Sequence, residues 1–183
     1  MKFEEALNNL LSIEGGYSYD KDDKGGETYK GISKGYHPNW NGWSIIDDYK
    51  KVTDKWQVLL QGNVELQDDV KKFYKTEYWD KFRGDELPFI VAEELLEQSV
   101  NLGNWNTAGK QLQKALNLLN RNGKLFVDLD VDGYVGKKTI DAVHKVKERR
   151  LLKVLNGLQF MRYYNLDITH PANEKFVGWF DRV

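Results

Sequence analysis

Ile13-Glu14-Gly15-Gly16-Tyr17, followed by Asp20, Asp23, Gly25-Gly26, Thr28 and Gly31-Ile32-Ser33, is where the chain passes from a helical pattern into irregular backbone. Upstream, Phe3, Ala6, Leu7, Leu10 and Leu11 recur at helical spacing, which predicts a first helix over residues 3–13 that delivers Glu14 at its C-terminal end. Two glycines directly after the acid let the chain turn sharply and leave no side chain in the way, so the carboxyl group can project into a cleft. Across residues 15–44 glycine, asparagine and aspartate are dense and helical spacing fails. That stretch reads as a long loop region with a small hairpin around residues 28–32, and loops of this length inside compact domains are usually functional.

Further along, the helical pattern returns over residues 64–82, with Leu66, Val70, Phe73, Tyr74 and the Tyr78-Trp79 pair on one side. Leu87-Pro88 stops that segment and opens the next, residues 89–102, since proline suits a first helical turn. Residues 105–120, 135–146 and 151–164 also read as helices, and a last short helix is expected near Pro171. The fold class is therefore mainly α, with a long active-site loop region and a small β-hairpin. Residues 1–85 and 86–183 are the two regions. No proline-, glycine- or serine-rich linker separates them, and Phe160, Tyr163, Tyr164, Phe176, Trp179 and Phe180 carry apolar surface almost to the last residue. One compact unit with a packed tail is the expectation.

The chain has 183 residues, 40% of them hydrophobic and 13% aromatic, enough for a packed core. With 27 basic and 28 acidic residues the balance favours neither nucleic acid nor stable insertion at an anionic membrane. Cysteine is absent, which excludes disulfides, thiolate zinc sites and a cysteine nucleophile. Met1-Lys2-Phe3-Glu4-Glu5 places acids where a signal peptide needs a basic region, so synthesis in the cytoplasm without a signal peptide is expected. No run approaches the ~18 apolar residues of a membrane span.

Glu14 and Asp23 stand nine residues apart across the loop, so two carboxylates can face one another in different environments. Glycosidic bond cleavage uses such a pair, one carboxyl kept protonated as general acid and the other ionised to manage water or positive charge on the sugar ring. The negative end of a helix dipole disfavours an ionised Glu14, which suits the acid. Asp23 is preferred over Asp20 as the partner because of its position relative to Glu14 and the following Gly25-Gly26; Asp20 would order the loop beside the site. Thr28 fits either a water-positioning hydroxyl or a plain β-branched strand residue. Tyr17 and Tyr29 fit either the wall of a sugar-binding cleft or core packing. Among six tryptophans, Trp40 and Trp43, beside Pro38 and Gly42 in the loop region, are the two placed near substrate.

These residues together resemble the N-terminal signature of family 108 of the glycoside hydrolases, the N-acetylmuramidases also called secretion activator proteins. Val100-Asn101-Leu102-Gly103, Leu112-Gln113-Lys114-Ala115-Leu116, Asp132-Gly133, Gly136 and Thr139 resemble that family's C-terminal peptidoglycan-binding-like region. Arg162-Tyr163-Tyr164, Pro171, Phe176, Gly178-Trp179 and Arg182 resemble its closing pattern. Ile13 stands where family members often carry histidine. The order Glu14, Asp23, Thr28 also resembles phage-type lysozymes. The resemblance implies a lysozyme-like fold that hydrolyses the β-1,4 bond between N-acetylmuramic acid and N-acetylglucosamine, with no cofactor. Its partner would be peptidoglycan glycan strands and its state a monomer, acting at the wall or in the periplasm after release. The rival is a non-catalytic wall-binding or secretion-assisting protein on the same scaffold.

Asp128-Leu129-Asp130-Val131-Asp132-Gly133 imitates half of a calcium loop, but Thr139 occupies position twelve, where the bidentate glutamate belongs. A turn leading into the next helix is expected there, and no metal site. His37, His144 and His170 share no metal-ligand spacing. The basic stretch at residues 145–150 reads as a solvated helix face.

Overall fold

The computed structural model describes residues 1–13, 15–20 and 25–169. The chain divides into two compact units, Met1–Trp79 and Asp80–Val183. Sequence reading set the boundary at 85/86. Asp80 to Glu86 goes with the second unit because the short 3₁₀ turn Gly84–Glu86 packs on the following helix, and the Glu86 carbonyl lies 3.1 Å from His144 Nε2.

In the first unit, α1 (Lys2–Ile13) buries Phe3, Ala6, Leu7 and Leu10, the predicted stripe, and carries Glu4 and Glu5 in its first turn, where the helix dipole favours acids. α4 (Val64–Tyr74) starts at Asn63, whose side chain accepts the Leu66 amide hydrogen at 2.8 Å, and it buries Leu66, Val70, Phe73 and Tyr74. Lys71 of α4 bonds Glu4 of α1 at 3.2 Å. A single helix over residues 64–82 was expected. Instead the backbone widens into a π-helical turn over Lys75–Trp79. Trp79 lies five residues after Tyr74, so a regular α-helix would swing it off the buried face. The i→i+5 pattern brings it back, fully buried and 5.4 Å from the Phe3 ring.

Residues 15–20 and 25–44 hold more regular structure than their composition suggested. β1 (Tyr17–Tyr19), β2 (Glu27–Tyr29) and β3 (Ile32–Ser33) form an antiparallel sheet in that order. The expected hairpin is β2–β3, turned by Lys30-Gly31 with φ of 45° and 78°, the paired positive values of a two-residue hairpin turn. The additional strand β1 pairs Tyr17 with Tyr29 and Ser18 with Thr28. The end of the supposed loop is the start of α2 (Gly42–Val52), which α3 (Trp56–Leu60) follows.

The second unit is helical. α5 (Phe89–Asn101) begins after Pro88 and is followed by Gly103, whose φ of +62° reverses the chain. α6 (Trp105–Leu119) is capped by Asn104, which accepts the Asn106 amide hydrogen at 2.8 Å. α7 (Lys137–Val143) and α8 (Glu148–Thr169) follow. Val91, Ala92, Leu95 and Leu96 of α5 join Leu112, Ala115 and Leu116 of α6 and Leu151 and Leu155 of α8 in one core. Tyr163 is buried, whereas Phe160 and Tyr164 are about half exposed. The expected helix at Pro171, with Phe176, Trp179 and Phe180, lies outside the described residues.

Between α6 and α7 the aspartate loop is pinned by amides on one face of α6. Asn117 both donates to the Leu129 carbonyl and accepts from the Leu129 amide, each at 2.8 Å. Gln113 donates to Asp132 and accepts from the Gly133 amide at 2.7 Å, and Asn120 donates to Asp128. The loop sits so close to α6 that a Cβ on Gly109 would fall 2.1 Å from the Gly133 carbonyl oxygen. Asp128 and Asp132 thus orient a turn. Among the described residues no group of three or more histidine, aspartate or glutamate side chains is arranged to hold a metal ion.

Candidate active site

Glu14 and Asp23 lie outside the described residues. α1 runs to Ile13, the residue before Glu14, and β1 begins at Tyr17. Asp23 belongs to the connection between β1 and β2. Gly25, at its downstream end, is held by its carbonyl, which accepts from Ser33 Oγ at 2.8 Å and from the Gly35 amide at 2.9 Å.

Directly opposed residues of a sheet share a face. Tyr17, Tyr29 and Ile32 therefore form one row, and Ser18, Thr28 and Ser33 form the next, on the opposite face. The first row faces the core, since Tyr29 and Ile32 are buried. The second is a line of three hydroxyls with Thr28 on the central strand.

The aromatic candidates separate by burial. Tyr29 is 2% exposed, with its hydroxyl accepting from Gln67 Nε2 at 3.0 Å. Trp43 is 3% exposed and donates from Nε1 to the His37 carbonyl at 2.9 Å. Trp43 was expected near substrate and Tyr29 fitted either a cleft wall or core packing; both rings pack in the core. Trp40 joins them, stacked on Tyr29 at 6.4 Å and edge-on to Trp43 at 5.3 Å, but it is only partly buried. It lines a cavity of about 380 Å³ together with Tyr36, His37, Asn41, Asp69 and Glu77. Its ring lies over Gly42, where any Cβ would fall 2.3 Å from it. Burial lowers the His37 pKa, while the nearby Glu77 charge acts in the other direction. Asp20 is exposed at the end of β1.

Tyr17 sits within a group that its sequence neighbours did not announce. Its ring is edge-on to Trp56 at 4.6 Å, and Lys50 Nζ lies 5.2 Å from its centroid and 5.5 Å from that of Trp56. Lys50 bonds Glu27 at 2.5 Å and Asp47 at 3.1 Å; Lys34 bonds the same two acids, each at 3.0 Å. Burial alone would push the Glu27 and Asp47 carboxyls up, but the hydrogen bonds and charges of the two lysines outweigh it and hold both below their ordinary values. Glu27 is therefore an ionised anchor fixing β2 to α2, not a proton donor. A glutamate directly before Thr28 was a usable signal; Asp47 and Lys50 were hidden because their helix was read as loop or left unassigned.

A small antiparallel sheet inserted among helices gives a mainly α, lysozyme-like fold. Residues 7–103 match the family model for glycosyl hydrolase 108, and the chain belongs to that family. Residues 107–183 match a second model, described as a predicted peptidoglycan domain. Among solved structures, the chain is similar to Brucella abortus SagA, with 27% identity, 98% of this chain and 88% of that one covered, and a TM-score of 0.66. No curated protein matches it. The chain is a glycoside hydrolase that acts on peptidoglycan. No helix among the described residues is long and apolar enough to cross a membrane.

Proposed function

We propose that the protein is an N-acetylmuramidase that cleaves the β-1,4 bond between N-acetylmuramic acid and N-acetylglucosamine. Glu14 protonates the departing glycosidic oxygen, Asp23 orients water or stabilises positive charge on the sugar ring, and Thr28 positions the water. The observation that carries the reading is the placement of Thr28 on the central strand, in the hydroxyl row turned away from the core and in the same unit whose first helix ends beside Glu14. An ionised Glu27 locked to Lys34 and Lys50 leaves the acid role to another carboxyl, which favours Glu14. Trp40 offers a partly open ring for a sugar face. Cleavage takes place at the wall after release from the cell, by a monomer.

Mass spectrometry of digested peptidoglycan checks the bond: new reducing ends should be N-acetylmuramic acid, and N-acetylglucosamine ends or cut peptides would reject it. Glu14→Gln should lower turnover by about 10²-fold or more while leaving wall binding intact. A variant with more than a tenth of wild-type turnover would remove Glu14 from the mechanism. A chain that binds the wall and never cuts it would return the reading to the non-catalytic rival.

A further inference from the structure

The second unit contains a groove of about 730 Å³, within the range of about 300–1,000 Å³ usual for sites that bind small molecules. From the loop side it is lined by Asp128, Asp130 and Asp132, and from the α7 side by Lys137, Lys138 and Lys145. Phe126, Leu129 and Ala142 supply apolar lining between them, and Val127 and Tyr134 line it while remaining 84% and 65% exposed.

The charges divide into two sets. Asp132 is held by Gln113 and the Tyr134 amide, Asp128 by Asn120, and Lys137 by Asp141 at 2.9 Å. These build the groove. The side chains of Asp130, Lys138 and Lys145 line it with no hydrogen bond or close ion pair among the described residues, although the Lys145 charge acts on Asp141 from a distance, so one acid and two ammonium groups face a ligand. The loop bearing Asp130 is fixed to α6 by the Asn117 and Gln113 contacts, so the acid is presented on a rigid support.

Peptidoglycan offers two chemistries. Its glycan strand is a chain of N-acetylated sugars with little charge. Its stem peptide carries free carboxylates, a free ammonium wherever it is not cross-linked, and small methyl side chains. We propose that this groove docks the stem peptide, with Lys138 and Lys145 receiving its carboxylates, Asp130 its ammonium, and the apolar lining its alanine methyls. Opposite charges around an apolar strip complement a dipolar peptide; a neutral sugar would leave all three ions unused. The inference rests on the assignment of peptidoglycan as substrate, and it adds that the two units take different parts of that polymer.

Chemical-shift mapping on the isotopically labelled full chain tests it, with a synthetic stem pentapeptide bearing a free lysine ammonium as one probe and a peptide-free N-acetylglucosamine oligomer as the other. The peptide should shift amides of residues 126–145, and Lys138→Glu and Asp130→Lys should each weaken it about tenfold without changing the melting temperature. Silence with the peptide, equal shifts of the same amides by the sugar oligomer, or undiminished binding by both variants would overturn the proposal. Because binding and turnover are read separately, the two readings fail separately. A chain that binds the peptide here and cuts no glycan leaves this proposal standing and removes the muramidase; one that cuts glycan and ignores the peptide does the reverse.

Discussion

Glu27 in the first unit and Glu94 in the second are both partly buried glutamates, and their protons behave in opposite ways. Burial pushes both carboxyls up. At Glu27 the ammonium groups of Lys50 and Lys34, at 2.5 and 3.0 Å, reverse the push and hold it below the ordinary value. At Glu94 the strongest counterweight is the neutral Gln98 amide at 2.8 Å, the charges of Glu93 and Glu97 add to the push, and its pKa rises to about 7. The Asn156 amide, with its nitrogen turned toward Glu94 Oε1 at 3.2 Å, adds a second neutral donor. Burial therefore sets the direction of a shift only until a full opposite charge is in contact. The first unit fixes its irregular segment with ions; the second uses neutral amides, in the aspartate loop as at Glu94.

The largest expected effect is at Glu94. A carboxyl whose folded pKa is raised contributes stability that is complete below its unfolded value of 4.5 and is lost as pH rises through about 7. Glu94→Gln should therefore stabilise the protein at pH 8 by on the order of 2–3 kcal/mol and flatten its pH dependence between 5 and 8. Denaturant melts at both ends of that range measure this, and an unchanged slope would show that Glu94 finds a cation.

Next in size is Asn117→Ala, which removes both hydrogen bonds to Leu129 and should cost about 2 kcal/mol. The loss should be the same at pH 4 and pH 7 and in low and high salt, since no charge is involved. Glu27→Gln is the smallest, about 1 kcal/mol at pH 7, because the network is partly solvated. Its sign runs the other way from Glu94: the stabilisation is present above the ordinary glutamate value of 4.5 and disappears as pH falls through the lowered folded one. High salt should shrink this effect and leave that of Asn117 untouched. Matching salt responses in the two variants would break the contrast between the units.

Helices with a regular apolar stripe could be read from sequence. α1, α5 and α6 fall within two residues of expectation, because Leu7, Leu95 and Leu112 recur with partners at helical spacing. β1 was missed because three residues, Tyr17-Ser18-Tyr19, are too few for alternation to register, and α2 because its start, Gly42-Trp43-Ser44, looks like the loop before it. Of the candidate site, the helix leading to Glu14 and the hairpin bearing Thr28 were legible. The ion network was not, because Tyr17, Glu27, Lys34, Asp47, Lys50 and Trp56 come from separate segments and meet only through tertiary packing. Trp43 was misplaced for a related reason: an aromatic residue in a polar segment looks exposed until the segment folds back on a helix.

The π-helical turn at Lys75–Trp79 has a consequence for which lengths of chain this unit tolerates. Deleting one residue among 75–77 would make Trp79 the fourth residue after Tyr74, and an ordinary α-helix would then keep it on the buried face with a regular hydrogen-bond ladder. The present length is thus one residue more than packing demands. Thr76 and Glu77 of this turn line the cavity that Trp40 shares. A single-residue deletion should leave the melting temperature nearly unchanged while reshaping that cavity, and affinity for soluble glycan oligomers should fall although the fold is intact. Insertions and deletions are ordinarily expected in loops; here a helix holds the residue that the fold can spare and the cavity cannot.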